Sequence, residues 1–232
     1  WQFRECVAGI AAACKALDIP VVSGNVSFYN ETNGVPIYPT PTIGMVGLIE
    51  DASRSIHSWF AAENSLVGVI GPLSEDIGGS EYLRLICGKD TGAPPEIDLE
   101  MEKMVQRSCR EANAAGLLES AHDCSDGGLA VALAECCFGM GIGARLKIEG
   151  YTRKDFMLFG EAPSRIIVSF REENLQKLLE VISKYSVPFS VFGKTEGDRL
   201  IIEGIIDIEV NKMLKVWKDS LRSMVERKYS IV

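Results

Sequence analysis

The chain has 232 residues, of which 47% are apolar and 24% are charged, and its formal net charge at pH 7 is -8. This composition is typical of a soluble globular protein, and the acidic balance, with basic residues scattered, argues against a nucleic-acid-binding surface. No apolar run approaches the roughly 20 residues that are needed to cross a bilayer, so no membrane partner is expected.

The first predicted element is an amphipathic helix at the start of the chain. Its apolar residues recur at helical spacing, at Phe3, Val7, Ile10, Cys14 and Leu17. The chain opens on WQFREC, with charges at once, so we expect no secretory signal peptide. A helix followed by a hairpin buries too little apolar surface to be stable alone. We therefore expect residues 1 to about 52 to be the end of a larger domain, and the exposed helix face to favour disorder or a homodimer of this fragment.

The next stretch, IPVVSGNVSFYNETNG, concentrates small and polar residues behind a short apolar run. The run Ile19 to Val22 predicts a strand, and the polar segment after it exposes backbone N–H groups and side-chain oxygens together. Such a combination suits a phosphate and its metal ion. The alternative is a simple hairpin, because Asn33-Gly34 is a strong two-residue turn signal. Spacing alone leaves both interpretations open.

Beyond a connector at residues 52–64, a strand, a glycine-rich loop and a helix follow one another twice. The first set is a strand at 66–70, a loop at 76–81 and a helix at 82–87 ended by Gly88. After a helix at 98–115, Leu117-Leu118 predict a strand before AHDCSDGG, and a helix follows to about Gly139. The Gly-Gly pair can admit a phosphate or a close backbone neighbour. In the second case Ser125 or Asp126 would be the helix N-cap.

The last part of the chain mixes strands with helices. Strands are predicted at 144–149, 165–170, 189–193 and 199–203, and helices at 172–185 and 211–227. The final helix carries an apolar stripe that we expect to be part of the core, formed by Leu214, Trp217, Leu221 and Met224. This alternation predicts an α+β fold, a mixed α/β sandwich.

Few residues are suited to nucleophilic or metal chemistry. Seven cysteines without a CxxC pair fit neither a zinc site nor a disulfide scaffold, which favours buried thiols in a reducing cytoplasm. Cys124 precedes a helix start, where a thiolate would be stabilised, although a bystander role is favoured. His122 is either a base or a hydrogen-bonded structural histidine, the second being favoured. Six carboxylates lie near glycines, where they could either bind a magnesium-bridged phosphate or cap helices. They are Glu75, Asp76, Glu81, Asp123, Asp126 and Glu161.

Three longer segments carry a resemblance to a known family. GNVSFYNET with its flanks, AHDCSDGGLAVALAE and LFGEAPSRIIVS resemble the C-terminal part of the synthetase subunit of phosphoribosylformylglycinamidine synthase, the PurL family. The resemblance covers essentially the whole chain. It implies that residues 1–55 are the remnant of a second ATP-binding AIR-synthetase-like N-terminal domain. Residues 60–232 would then be an AIR-synthetase C-terminal-like domain.

The resemblance also implies an activity for the full-length protein. Members of the family convert formylglycinamide ribonucleotide, ammonia from glutamine and ATP to formylglycinamidine ribonucleotide, ADP and phosphate. The implied cofactors are ATP and Mg²⁺, and the implied partners are a glutaminase subunit (PurQ) and a small accessory subunit (PurS). Because the family's catalytic histidines lie in its first half, we expect no catalytic residue here and no turnover by this piece alone.

The family motifs place roles on four positions. Gly24 would contact ATP, Asn25 would bind magnesium and Ser27 would contact the ribonucleotide. Glu161 would be the duplicate of a substrate-binding glutamate, in a motif whose Ser and Gln are here Ala162 and Pro163. Two alternatives stay open. The protein could be another ATP-dependent enzyme of the superfamily, namely aminoimidazole ribonucleotide synthetase, selenophosphate synthetase or thiamine-phosphate kinase. Alternatively, this half of the protein could bind a nucleotide only to stabilise the structure.

Overall fold

The computed structural model describes residues 1–229, with side chains described through Glu226. The chain divides into two compact units, the first from Trp1 to Ala52 and the second beginning at Ser53. Among the helices of the described part, none has both the length and the apolar content that crossing a bilayer requires.

Unit 1 consists of one helix and one small hairpin. Helix α1, Gln2–Leu17, ends at Asp18 in the left-handed conformation, which satisfies the carbonyl of Cys14. Strands β1, Glu31–Thr32, and β2, Val35–Pro36, pair antiparallel. The turn between them has positive φ at Asn33 and Gly34, 53° and 76°, as a type I′ turn requires. The predicted helix and the predicted turn are both confirmed.

The strand predicted at Ile19 to Val22 is wrong. These residues have no regular structure, and Val21 and Val22 are 70% and 91% exposed. A strand needs a neighbouring strand to accept its N–H groups and cover its side chains. In unit 1 the hairpin partners of residues 31–32 are residues 35–36, and no described strand pairs with residues 19–22. Helix α1 likewise has no buried residue, so the expected self-association of its apolar face stays a prediction.

Unit 2 is built on one mixed sheet of seven strands. The strands are β3 Leu66–Ile70, β4 Ser120–Asp123, β5 Ala144–Leu146, β6 Ile166–Phe170, β7 Phe189–Thr195, β8 Arg199–Ile202 and β9 Ile206–Glu209. Their order across the sheet is β4-β6-β3-β7-β5-β8-β9. All neighbouring pairs are antiparallel except β5 and β8.

Helices cover both faces of this sheet. They are α2 Glu81–Cys87, α3 Leu99–Ala114, α4 Gly128–Phe138, α5 Lys154–Phe159, α6 Leu175–Ser183 and α7 Val210–Tyr229. Strand β3 is buried along its whole length, and its side chains alternate between two cores, as the period of two in a strand requires. Val67 and Val69 pack with α4 and α5. Leu66 and Ile70 pack with α3 and α6. The predicted mixed α/β sandwich is confirmed.

Several element positions differ from the prediction. The strand expected at Leu117-Leu118 lies at 120–123, and the two leucines before it are buried in the core with residues of α3 and α6. Helix α5 and strand β9 were not predicted, because they are only six and four residues long and show little periodicity. The helix expected at 172–185 begins as a 3₁₀ turn, Glu172–Asn174, before α6.

The apolar stripe of α7 was expected in the core, and this expectation is wrong for three of its four residues, Leu214 being half-buried. Trp217, Leu221 and Met224 are 56%, 72% and 68% exposed. In the described part of α7 the buried Val210 and the partly buried Met213 belong to the core, and the ring of Trp217 packs on Phe138 at 5.7 Å between ring centroids. The stripe is therefore only partly covered by unit 2, and its exposure is greatest at Leu221 and Met224.

Candidate functional site

The GNVS loop, residues 24–27, carries three of the four predicted site residues. Gly24, Asn25 and Ser27 are all exposed and lie in irregular backbone before β1. The hydroxyl of Ser27 donates to the carbonyl oxygen of Tyr29 at 3.3 Å, and Asn30 Nδ2 donates back to the carbonyl oxygen of Ser27 at 2.8 Å. These local hydrogen bonds shape the loop without a sheet. The structure therefore brings the three residues together in one exposed segment, outside any apolar interior.

Two of these residues are not used by the internal structure of the chain. A Cβ atom added at Gly24 would meet no atom within 4 Å, so internal packing does not require glycine there. The side chain of Asn25 makes no hydrogen bond with any residue of the described part. An amide oxygen and a hydroxyl are hard donors that suit Mg²⁺, which commonly takes one or two protein ligands and completes its shell with phosphate and water.

Magnesium would need ligands from outside this loop. Among residues 1–229, no group of three or more His, Cys, Asp or Glu side chains is arranged to hold a metal ion. The nearby carboxylate of Glu31 accepts a hydrogen bond from the hydroxyl of Tyr29 at 2.8 Å. The donor set of the loop fits one side of a shared magnesium and phosphate site.

The fourth predicted residue, Glu161, is bound to backbone in unit 2. Its Oε1 atom accepts hydrogen bonds from the N–H groups of Glu81, at 3.0 Å, and Gly127, at 2.8 Å. Glu81 is the first residue of α2 and Gly127 is the N-cap of α4. Because N–H groups at a helix start have no partner within the helix, a carboxylate is a favourable acceptor for them. Glu161 therefore joins the starts of two helices.

This contact corrects the N-cap predicted for α4. Gly127 occupies the N-cap position with φ of 81°, and no side chain caps the helix there. Ser125, one of the two predicted caps, donates its hydroxyl to Asp123 Oδ2 at 2.5 Å. The expected anion at this helix start is supplied from a distant part of the chain, by Glu161, and not by a neighbouring residue.

The Gly-Gly pair allows close approach of backbone to backbone. A Cβ at Gly128, where φ is +66°, would lie 2.5 Å from the carbonyl oxygen of Gly160. A Cβ at Gly160 would lie 2.6 Å from the carbonyl oxygen of Asp76. Three loops thus meet at distances that only glycine permits. Of the two interpretations of AHDCSDGG, the structure favours packing.

Arg165 lies beneath this junction and is 2% exposed. Its Nε and Nη2 atoms donate to the carbonyl oxygens of Ala162, at 3.0 Å, and Gly160, at 2.7 Å. Burial lowers the pKa of the Arg165 guanidinium, partly offset by the Cys124 thiol and Glu161. A buried arginine that binds the carbonyls on both sides of Glu161 fixes the backbone from which that carboxylate extends.

A second carboxylate acts in the same way at α5. Glu75 accepts hydrogen bonds from the N–H groups of Thr152, at 2.6 Å, and Arg153, at 2.8 Å. These two bonds hold the pKa of the Glu75 carboxyl below its usual value. The contacts of Glu75 and Glu161 therefore favour helix capping over a magnesium-bridged phosphate. Glu75 and Thr152 are 77 positions apart in the sequence, and Glu161 and Glu81 are 80 positions apart. Local spacing carries no signal for contacts between residues so far apart.

The remaining nucleophile and base candidates, Cys124 and His122, lie on either side of Asp123 in the sequence. Cys124 is buried, and its pKa is raised to about 11, mainly by desolvation, so a neutral thiol and a bystander role are indicated. His122 Nδ1 lies 2.6 Å from the carbonyl oxygen of Asp123, and its Nε2 lies 3.3 Å from Glu135 Oε2. These contacts are compatible with a hydrogen-bonded structural histidine, which stays a prediction.

Comparison with known proteins gives matches along nearly the whole chain. Residues 61–205 match the family described as AIR synthase related protein, C-terminal domain, and residues 1–49 match the corresponding N-terminal domain. A relative from Anaeromyxobacter dehalogenans, strain 2CP-C, named phosphoribosylformylglycinamidine synthase subunit PurL, is 48% identical over 98% of this chain. The PurL subunit of Moorella thermoacetica is 42% identical over 98%. The chain spans 31% and 32% of the lengths of these two relatives.

Solved structures show the same fold. The chain is similar to phosphoribosylformylglycinamidine synthase II from Thermotoga maritima, with a TM-score of 0.57 and 17% identity, over 70% of this chain and 28% of that one. It is also similar to the T. maritima PurL complexed with FGAR, with a TM-score of 0.59 and 17% identity, over 70% of this chain and 30% of that one. At this identity the likeness concerns the fold alone.

Proposed function

Because the chain belongs to the AIR synthase related protein family, we propose that it is the C-terminal part of the synthetase subunit of a phosphoribosylformylglycinamidine synthase. The observation that carries this proposal is the 48% identity to a subunit of that name across 98% of the chain. The full-length protein would act as a ligase of purine biosynthesis. It would convert formylglycinamide ribonucleotide, ammonia and ATP to formylglycinamidine ribonucleotide, ADP and phosphate.

The proposal assigns a domain to each unit. Residues 1–55 would be part of a second ATP-binding N-terminal domain, supported by the family match at residues 1–49. Residues 60–232 would be the C-terminal domain, supported by the match at residues 61–205. In this arrangement the GNVS loop belongs to the ATP-binding domain.

Within the GNVS loop, each residue would have a separate role. Gly24 would leave room for a phosphate group, which is supported by the open space around its Cα. The amide oxygen of Asn25 would be one ligand of Mg²⁺, and the hydroxyl of Ser27 would bind the ribonucleotide. Bound Mg²⁺ would neutralise the phosphate charge that builds up during phosphoryl transfer. Transfer of the terminal phosphoryl group of ATP to the amide oxygen of formylglycinamide ribonucleotide would release ADP. Ammonia would then attack the amide carbon and displace that oxygen as phosphate.

In a second candidate function, this half of the full-length protein would bind a nucleotide only to stabilise the structure. It is favoured by Glu161, whose Oε1 is committed to the N–H groups of Glu81 and Gly127. A carboxylate in that position competes with any phosphate for the start of α4. Direct substrate contact by Glu161 therefore has less support than the three roles in the GNVS loop.

The proposal includes cofactors, partners and location. ATP is supported by a T. maritima PurL structure complexed with ATP, and a multi-subunit assembly is supported by the T. maritima structure named PurLQS. The partners would be a glutaminase subunit, PurQ, that supplies ammonia and a small accessory subunit, PurS. A cytoplasmic location is supported by the seven cysteines, which are all free.

Substitution of Asn25 in the full-length protein tests the proposal. We expect Asn25→Ala to lower the rate of ammonia-dependent ADP release by at least about tenfold, as loss of groups at metal sites does, and to raise the Mg²⁺ concentration needed for turnover. Asn211→Ala, at an exposed position of α7, is the matched control. Unchanged turnover and Mg²⁺ dependence in a folded Asn25→Ala protein would contradict the assigned role. If wild-type protein releases no ADP with formylglycinamide ribonucleotide and ammonia, the enzyme is another member of the superfamily.

A further inference from the structure

The outer side of helix α3 carries three basic residues that are neighbours on the helix surface. Lys103, Arg107 and Arg110 are separated by four and three positions, so their side chains lie on one face of the helix. Arg107 and Arg110 are exposed, and Lys103 is half-buried. The two arginines also line an open pocket, whose wall includes Tyr185 from the segment after α6. These three cations are called the α3 basic stripe below.

The carboxylate that lines this pocket already has two donors. Glu111 accepts hydrogen bonds from Lys184 Nζ and from the hydroxyl of Tyr185, both at 2.5 Å. The bond from Lys184, followed by that from Tyr185, holds the pKa of the Glu111 carboxyl below its usual value. The bond to Glu111 raises the pKa of the Tyr185 hydroxyl, and Lys184 and Arg107 offset part of that rise. Arg107 therefore lies beside the pocket while its carboxylate is bound to other groups.

The α3 basic stripe is not neutralised by its own helix. Glu102 accepts a hydrogen bond from the side chain of a glutamine one turn on, at 2.6 Å, and Glu100, one turn before Lys103, forms no ion pair with it. In the part of the chain whose side chains are described, none forms an ion pair or hydrogen bond with the side chains of Lys103, Arg107 or Arg110. Like charges three or four positions apart destabilise a helix. The stripe therefore lowers the stability of α3.

Other exposed arginines of unit 2 do have carboxylate partners. Ion pairs are formed by Arg84, Arg145, Arg153, Arg171, Arg199 and Arg222. With a formal net charge of -8, the chain has more carboxylates than cations. Two neighbouring arginines without a carboxylate are therefore an exception in this chain. Such a pair is expected where an anion from outside the chain supplies the missing charge.

The spacing and chemistry of the stripe select carboxylates on a larger surface. The planar guanidinium of arginine binds a carboxylate through two parallel N–H groups. The helical rise of 1.5 Å per residue places the three cations at steps of about 6 and about 4.5 Å along α3. Carboxylates four and three positions apart on a second helix have the same steps. The pocket is open, whereas sites for small molecules bury most of the ligand.

We propose that the α3 basic stripe is a docking site for an acidic helical segment of a partner protein. Carboxylates of that segment pair with Arg107 and Arg110 beside the pocket and with Lys103 one turn before it. They supply the charge that Glu111, bound to Lys184 and the Tyr185 hydroxyl, does not supply. The site lies in unit 2 and uses no residue of the GNVS loop. It therefore goes beyond the proposed function and does not depend on it.

A labelled acidic peptide tests this docking site. The probe is an alanine-rich helical peptide with three glutamates spaced four and three positions apart. Fluorescence anisotropy measures its binding to the full-length protein without nucleotide. We expect binding that weakens as the salt concentration rises. The double variant Arg107→Gln/Arg110→Gln should bind the peptide at least about tenfold more weakly, because two bidentate pairs are lost. The same peptide with glutamine in place of each glutamate should not bind.

Matched variants separate docking from general effects of charge. The double variant Lys212→Gln/Lys215→Gln makes the same change of net charge at exposed positions of α7, and it should bind the peptide as wild type does. Arg107→Lys/Arg110→Lys keeps the charge and loses the planar fork, so it should bind with intermediate affinity.

Thermal unfolding verifies that the variants fold. The unfolding midpoint of Arg107→Gln/Arg110→Gln should not fall below that of wild type, because the repulsion between like charges on α3 is removed. A labelled DNA duplex is the competing probe and should bind more weakly than the peptide. Three results would overturn the docking site: no binding of the glutamate peptide to wild type, equal binding to the α3 and α7 glutamine variants, or binding of the duplex at least as tight as that of the peptide.

Discussion

Removal of the Glu161 carboxylate should loosen the starts of two helices at once. In Glu161→Ala, the N–H groups of Glu81 and Gly127 lose the acceptor that they share at 3.0 and 2.8 Å. A hydrogen bond to a charged group contributes about 1.5–3 kcal/mol. Since Glu161 is half-buried and water can reach part of the gap, we expect a total loss of about 2–3 kcal/mol in the free energy of unfolding.

Glu161→Gln separates the charge from the hydrogen bonds. The amide oxygen can still accept from both N–H groups, whereas the favourable charge at the start of α4 is lost. An interaction of that kind is worth about 0.3–1 kcal/mol at an exposed helix end and up to about 2 when partly buried. We therefore expect Glu161→Gln to be destabilised by about 1 kcal/mol, which lies between wild type and Glu161→Ala.

Urea unfolding of the chain measures the free energies, and amide hydrogen exchange measures the local effect. Exchange should accelerate at Glu81 and Gly127 in Glu161→Ala more than elsewhere in the sheet. Glu63→Ala is the matched control, because Glu63 is exposed and its side chain makes no hydrogen bond or ion pair with the described residues. If Glu161→Ala were no less stable than Glu63→Ala, or if exchange at the two amides were unchanged, the capping argument would be refuted.

Three further predictions concern the glycines, the thiols and the acid limit of stability. Gly128→Ala should lower the free energy of unfolding in urea by about 2 kcal/mol more than Gly141→Ala does. Both glycines have positive φ, but a Cβ at Gly128 would overlap a carbonyl oxygen, whereas a Cβ at Gly141 would meet open space. At about pH 8 under native conditions, iodoacetamide should modify the exposed Cys87 and spare Cys124, because burial raises the pKa of the Cys124 thiol to about 11. Mass spectrometry measures the rate of modification at each cysteine. Equal rates would contradict the burial of Cys124. The pKa of Glu75 is lowered in the folded state, so its contribution to stability is present above pH 4.5 and is lost as pH falls through the lower folded-state pKa. Acid unfolding curves of Glu75→Gln should therefore be flatter than those of wild type below that pH, and parallel curves would contradict the contact.

The local signals of the sequence predicted much of the fold. The spacing of Phe3, Val7 and Ile10 predicted α1, and Asn33-Gly34 predicted the hairpin turn. These features depend on residues a few positions apart, so propensity and turn geometry are enough to define them. The β-branched residues of Leu66 to Ile70 likewise predicted strand β3, and the structure shows that it is buried along its whole length. The resemblance at GNVSFYNET identified the family before any coordinates.

Other features depended on residues that are distant in sequence. Whether Ile19–Val22 forms a strand depends on a pairing partner, and unit 1 supplies none among the described residues. The stripe of α7 is apolar, but only a neighbouring surface could bury it, and Trp217 remains 56% exposed. Periodicity shows which residues share a face and does not show what covers that face.

The sequence by itself determined the family, the fold class and the exposed, polar character of the GNVS loop, because these follow from composition, local spacing and long matching segments. Only the tertiary structure decided what Glu161 and the Gly-Gly pair do. Glu161 reaches the N–H group of a residue 80 positions away in sequence, and Gly128 is required by the carbonyl of Gly160. A carboxylate near a glycine loop can bind a ligand or a helix start, and only the position of the acceptor relative to its donors distinguishes the two.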